Sequence, residues 1–425
     1  MGLKNVLNKD VRFDSRALES KRAEAISDFE RIGFPTKKNE EWRFTNINPI
    51  VNTDFYVKKD GIAKKSLIEK LAEYKFDANV IVVYNGNYSS ELSKISENDD
   101  KVFVGSFVDA IVAGRNDVFE KHFGKYANDK IDGFTALNTS MINSGLLVYV
   151  SKGASLKKPL MIINLIEDSD TEIFANHRNL IVIEESGKAD VSEVFYANGK
   201  KASFSNVVTE IFLGDNAELH YNKIQNEGSN AYHVGTTQVE QKNHSRLYSM
   251  TVSWGGSLLR NNLNSVINGE GIDCYFRGFY LTKGEQIIDN HTLADHAMPN
   301  SHSNEFYKGI LDDKGTGIFN GKIMVRQDAQ KTNAYQTNKN ILLTNEATIN
   351  SKPQLEIFAD DVKCSHGATT GQINPEEIFY LRSRGISEDE AKKLLLSAYA
   401  HEIIDEVKNE ELKSLLVKTL DKKLG

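Results

Sequence analysis

Between residues 189 and 275 one short pattern returns four times, as Ala189-Asp190-Val191-Ser192, Ala217-Glu218-Leu219-His220, Ser245-Arg246-Leu247-Tyr248 and Ile272-Asp273-Cys274-Tyr275. Each copy runs small or apolar, polar, apolar, polar, the alternation of a strand with one face buried. Successive copies start 28, 28 and 27 residues apart. Gly187, Gly214 and Gly269 precede three of them at similar distances, where turn residues belong. A steady beat over four copies predicts a solenoid, because one coil cannot bury its apolar face alone and must stack on neighbours. Strand-rich coils stacked in this way make a parallel β-helix. An antiparallel sandwich would place strands every roughly 8–12 residues without the longer beat. In this register Cys274 shares a column with Val191, Leu219 and Leu247, so it reads as a packed thiol rather than a ligand or nucleophile.

Outward from the repeat, strand-like runs separated by Gly, Asn, Asp and Lys extend from Leu146 to about Ile357. The chain therefore divides into a mixed α/β domain (1–145), a β-helix core (146–372) and a helical domain (373–425). In the first, Asp14 reads as an N-cap. Ala17, Leu18, Ala25, Ile26, Phe29 and Ile32 follow at helical spacing, and Gly33 and Pro35 end the helix. Glu40-Glu41-Trp42-Arg43-Phe44-Thr45 reads as an aromatic, charged loop, and Ser66 to Tyr74 as a short helix. Val80 to Tyr84 is a strand closed by the turn pair Asn85-Gly86. At the other end Asn374 and Pro375 open a helix that stops at Gly385. Ser387-Glu388-Asp389-Glu390 is a capping box for a second helix with Ala391, Leu394, Leu395, Ala398 and Tyr399 on one face, and a third runs from about Glu411 to Lys422. Paired helices after a solenoid either cover its open end or form a docking surface.

Composition excludes several classes. Of 425 residues 59 are acidic and 52 basic, a net charge of −7, so no broad basic face advertises nucleic-acid binding. No run of about 18 apolar residues is present to cross a membrane, and no apolar leader follows Met1. Two cysteines in such a chain do not make a disulfide framework, and a cytoplasmic location with both thiols reduced is expected.

The tract Asp360-Asp361-Val362-Lys363-Cys364-Ser365-His366-Gly367 concentrates the chemistry. A thiol and an imidazole together suit iron, zinc or copper. If the tract is extended, Cys364 and His366 point to one face. Two ligands are too few for a closed tetrahedral site. The others come from elsewhere in the chain or from a partner; otherwise this is a thiol near a strand end beside an exposed histidine. Gly315-Thr316-Gly317-Ile318-Phe319-Asn320-Gly321-Lys322 matches neither a dinucleotide fingerprint nor a P-loop, so its glycines read as turn residues and no ATPase activity is expected. His291, His296 and His302, with Asp289 and Asp295, lack helical zinc-site spacing and read as structural histidines. No Gly-x-Ser-x-Gly elbow is present.

Pro353 to Ile357, Asp360 to Thr369 and Ile378 to Ile386 form a nearly contiguous tract that resembles the SufB/SufD family of iron–sulfur cluster assembly proteins. Phe319-Asn320-Gly321-Lys322-Ile323, Gln336 to Leu343, and Glu41-Trp42-Arg43-Phe44-Thr45 after Gly33-Phe34-Pro35 are lesser matches, and the last of these, with overall length, is closer to the SufD branch. The resemblance spans nearly the whole chain. It implies a right-handed parallel β-helix between an N-terminal mixed domain and C-terminal helices, and a non-catalytic scaffold subunit. The implied partners are a SufB-like subunit, paired through the β-helix, and a SufC-like ABC ATPase bound at the C-terminal helices; a homodimer is the form expected in isolation. The implied cargo is a transient iron–sulfur cluster or iron at the SufB interface, with His366 placed there and Cys364 beside it. The helix end Phe379-Tyr380-Leu381-Arg382, with Arg384 and Gly385, is the expected ATPase contact, the aromatics serving as anchors. Two other classes remain. A structural solenoid adaptor would need neither Cys364 nor His366. A β-helix carbohydrate-active enzyme would carry clustered acids and be secreted.

Overall fold

The computed structural model describes residues 16–425 except 59–72, 74–75, 97, 131, 143–144 and 168–169. Asp14 and most of the helix expected over Ser66 to Tyr74 lie outside the described residues. The strands in chain order begin with β1 (Asn79–Tyr84), β2 (Asn87–Lys94), β3 (Val102–Ser106), β4 (Gly145–Val150), β5 (Leu160–Glu167) and β6 (Ile173–Ile183). There follow β7 (Lys188–Asn198), β8 (Ser203–Leu213), β9 (Glu218–Glu227), β10 (Ala231–Gln241), β11 (Arg246–Ser253), β12 (Leu258–Ile267) and β13 (Asp273–Thr282). The last are β14 (Ile287–His296), β15 (His302–Leu311), β16 (Thr316–Val325), β17 (Asn333–Leu342), β18 (Thr348–Ile357) and β19 (Lys363–Gly371).

From β4 onward the even strands join one sheet and the odd strands the other, so the chain alternates between two faces and builds a parallel solenoid of about 8 turns. Three N-terminal strands extend these sheets, β3 beside β4, and β1 beside β5 with β2 antiparallel at its outer edge. Asn85 and Gly86 both take positive φ, 48° and 81°, between β1 and β2, the two-residue hairpin that the pair Asn-Gly favours.

Inward-facing side chains of both sheets form the central core. It includes Ile162, Ile181, Val191, Ile211, Leu219, Val239, Leu247 and Cys274. Leu219, Leu247 and Cys274 are direct neighbours in the parallel ladder, as their spacing implies. The first repeat is corrected by two residues: Ala189, not Val191, lies beside Leu219, and Val191 lies beside Tyr221. Both residues point inward, so alternation fixed the face but could not distinguish registers two apart. The glycines of the repeat lie in the turns between strands, as expected, but none of the three takes the left-handed conformation. The left-handed position of successive coils falls on Ser186, Asn216, His244, Gly271, Asn300 and Lys331, each with φ between 58° and 66°. Gly214 and Gly269 instead permit close approach of coils, since a Cβ there would lie 2.7 and 2.5 Å from a backbone nitrogen of the preceding turn.

The helices cover the two outer faces. Helix Arg16–Ile32, a short helical turn at Glu40–Trp42 and helices Asn48–Val51, Phe107–Val112, Asn116–His122 and Gly133–Ser140 precede the solenoid, and their apolar residues pack on the even sheet. Phe29, Trp42, Ile50 and Phe134 meet Phe174, Phe204, Val234 and Leu258 there. Helix Glu388–Ile404 and helix Glu410–Leu424 pack on the odd sheet through Leu396, Ala400, Ile403, Leu412, Leu416 and Leu420. The buried face of the former is rotated from the expected one: Ala391 is buried as expected and Leu395 and Tyr399 are half-buried, but Leu394 and Ala398 are exposed, and Leu396, Ala400, Ile403 and Ile404 are buried in their place. Three consecutive leucines leave the helical phase undecided, and the isoleucine pair sets it.

The C-terminal helices therefore do not cap the solenoid; they lie along its flank. Lys308 pairs with Glu402 at 2.8 Å and Arg277 with Glu406 at 2.6 Å, pinning helix Glu388–Ile404 and the turn that follows it to β15 and β13. Strands β18 and β19 end the two sheets, and no residue of either is buried.

Candidate functional site

The uncovered terminal coil carries both residues singled out in the Cys364 tract. β19 is extended through Lys363–Gly371 and pairs only with β17, so Cys364 and His366 share the inward-facing side. Cys364 lies beside Ala334 and packs against a small cluster containing Ile323, Val325, Ala329 and Ala359. It is half-buried, and burial raises its thiol above the ordinary value while a backbone hydrogen bond from Ala334 opposes the shift. A metal would have to displace that proton, since the thiolate is the ligand. His366 is exposed beside the buried Gln336. Asp361 is already committed, paired with Lys331 at the preceding turn, and Asp360 is exposed in the same turn. Among the described residues no three His, Cys, Asp or Glu side chains converge as a metal-holding group.

The column behind these two residues is informative. Cys364 continues through Ala334 and Ser303 to Cys274, and His366 continues through Gln336 and Glu305 to Phe276. Cys274 is fully buried, and burial pushes its thiol far up. Glu305 is 3% exposed and accepts a hydrogen bond from Gln336 Nε2 at 2.7 Å. Burial raises its carboxyl to about 7, against smaller opposing effects of Thr292, Gln336 and Arg277. No motif marks Glu305; its signal in the sequence is an acidic residue at an inward position of a strand otherwise lined by Ser303 and Tyr307.

The three histidines do not converge. His296 points inward and shares a 2.8 Å hydrogen bond with Ser303 Oγ, while burial pushes its imidazole down to about 3. His302 lies between the rings of Tyr275 and Tyr335, tilted by 55° and 52° to them. His291 faces the opposite side and bridges Glu41 at 3.1 Å and Asp289 at 3.0 Å. Arg260 lies 2.6 Å from Asp289 and its guanidinium stacks 4.3 Å from the Trp42 ring. Burial opposes ionisation of Asp289, yet Arg260 and His291 more than offset it and hold the carboxyl well below its usual range. The hydrogen bond from His291 likewise lowers Glu41. This network fastens Glu41 and Trp42 to the even sheet. Gly317 and Gly321, expected in turns, are interior residues of β16; only Gly315 lies at a turn.

At the C-terminus Asn374 caps helix Pro375–Ser383, accepting from the Glu376 amide, and none of the helix is buried. Phe379 and Tyr380 are 74% and 57% exposed. Arg384 stacks 5.2 Å from the Tyr380 ring, Arg382 lies 3.4 Å from Glu388, and Leu381 is half-buried. Gly385 turns the chain with φ 87°. Among the described residues no helix is long and apolar enough to cross a membrane.

Residues 165–399 match the family model "SUF system FeS cluster assembly, SufBD core domain", and residues 7–162 match "SufBD protein N-terminal region". An iron–sulfur cluster assembly SufBD family protein of Synechocystis is 32% identical over 92% of this chain and 87% of its own length. The iron–sulfur cluster assembly protein SufD of Escherichia coli is 30% identical over 93% of this chain and 90% of its own. That of Bacillus subtilis is 26% identical over 96% and 94%. With both family models covering its two-sheet solenoid and the N-terminal region packed on it, the chain belongs to the SufBD family of iron–sulfur cluster assembly proteins.

Proposed function

We propose that this chain is a SufD-like scaffold subunit whose terminal coil supplies one side of a site completed by a SufB-like partner, with iron or a nascent iron–sulfur cluster as cargo. The observation that carries the proposal is the open end: among the described residues of the parallel coils from β4 onward, β18 and β19 are the strands without a buried residue, and His366 and Cys364 lie there. Main-chain groups at such an edge remain available for pairing with another chain. Phe358, 64% exposed, and Ile357, 40% exposed, add apolar surface beside them. A site divided between two chains also fits the presence of only two suitable ligands in this one.

The exposed helix Pro375–Ser383 would receive an ABC-type ATPase of the SufC kind, with Phe379 and Tyr380 as anchors. Nucleotide-driven motion of that partner would reach the solenoid through Lys308–Glu402 and Arg277–Glu406, and would bias the interface between closed and open arrangements. In this account the chain catalyses no turnover of its own. Co-purification tests the pairing: Phe358→Asp should reduce recovery of the SufB-like subunit several-fold while leaving the melting temperature near wild type. Unchanged recovery would place the interface elsewhere.

A further inference from the structure

Among the described residues, the side chain directly behind His366 has a buried polar atom without a partner. Gln336 is 1% exposed, and among the described residues its Oε1 has no hydrogen-bond partner. It stands in the ladder between Glu305 on one side and His366 on the other. Its Nε2 donates to Glu305 Oε2 at 2.7 Å, so the donor end of the amide is committed away from the terminal strand and the acceptor end is left over. Across the interior, Gly321 reserves the space for that amide. A Cβ at position 321 would lie 2.4 Å from Gln336 Nε2 and 2.7 Å from the Phe319 ring. Gly321, Gln336 and His366 thus come from three separate sequence tracts and meet at one end of the solenoid.

Neighbouring strands are about 4.8 Å apart, within reach of a glutamine and a histidine in the same column. A histidine that binds metal through one nitrogen usually donates its other N–H to a fixed acceptor, which sets the tautomer and ring orientation. We propose that Gln336, oriented by Glu305, is the positioning residue for His366, its amide oxygen accepting one imidazole N–H so that the other nitrogen presents its lone pair to the open end. This inference rests on the reading of His366 as an iron ligand, and it adds the two residues that would prepare it.

The test uses the full chain with ¹⁵N-labelled histidine, with His366 assigned by the signal lost in His366→Ala. Wild type should show one dominant His366 tautomer. Gln336→Met, similar in length but without an acceptor, should return it to the mixture of an unrestrained imidazole. In the complex reconstituted with the SufB-like subunit, the same variant should weaken ferrous iron binding by roughly 10–100-fold. Glu305→Gln, which keeps the volume but no longer fixes the amide, should give an intermediate result and decides the matter if Gln336→Met does not fold. An unchanged tautomer in the folded variant overturns the proposal. If His366→Ala binds iron as wild type does, the ligand reading fails instead. If His366→Ala loses iron while Gln336→Met alters neither tautomer nor affinity, only the positioning role fails.

Discussion

Glu305 holds a carboxyl inside the solenoid, where burial raises it from 4.5 to about 7. The folded chain therefore retains a proton that the unfolded chain releases. Its contribution to stability is complete below about 4.5 and is lost as pH rises through about 7. Glu305→Gln lacks that titration, so its melting temperature should fall less than that of wild type between about pH 5 and about pH 8. Parallel profiles would contradict the assignment. Cys274 makes a contrasting case, a thiol whose role is packing. Cys274→Ala should lower stability by about 1–2 kcal/mol, read from denaturant unfolding, and leave iron content of the reconstituted complex unchanged. A loss of iron at unchanged stability would instead make Cys274 part of the chemistry. That Cys274 packs was legible from its column, because three apolar neighbours recur at the solenoid beat. The environment of His366 was not, since Glu305 and Gln336 are 61 and 30 residues away and only the coil brings them into line.

At the level of elements, alternation carried most of the information. It identified strands and their inward faces, and it failed where two registers satisfy the same alternation, as with Ala189 and Val191. The C-terminal helices illustrate the same limit in a helical setting. Their caps at Asn374 and Ser387 were readable because a short polar side chain binds a neighbouring amide. The face buried by Glu388–Ile404 depends on the sheet beneath it, which no local pattern records. Helix Pro375–Ser383 buries nothing and exposes two rings, which is why we propose it as the docking element for the ATPase. Charge reversal at Arg382 and Arg384 should weaken pull-down of the SufC-like ATPase while leaving the circular dichroism spectrum and melting curve unchanged. Undiminished binding would assign the contact to another surface.

At the scale of the molecule, four layers stack in order: N-terminal helices, even sheet, odd sheet and C-terminal helices. Both outer faces are thereby occupied, and the end of the solenoid at β18 and β19 is left bare. The repeat made the solenoid legible, whereas the distribution of helices over its faces was not, because a flank and an end make the same demand for an apolar stripe. On this arrangement rests the proposal that the bare end holds half of a shared iron site with His366 at its centre. The direct measurement is iron and acid-labile sulfide per complex, after reconstituting the SufB-like and SufC-like subunits with wild type or His366→Ala. His366→Ala should assemble into the complex yet retain only a small fraction of wild-type iron and sulfide. Wild-type content in that variant would contradict it and make the Cys364–His366 tract structural.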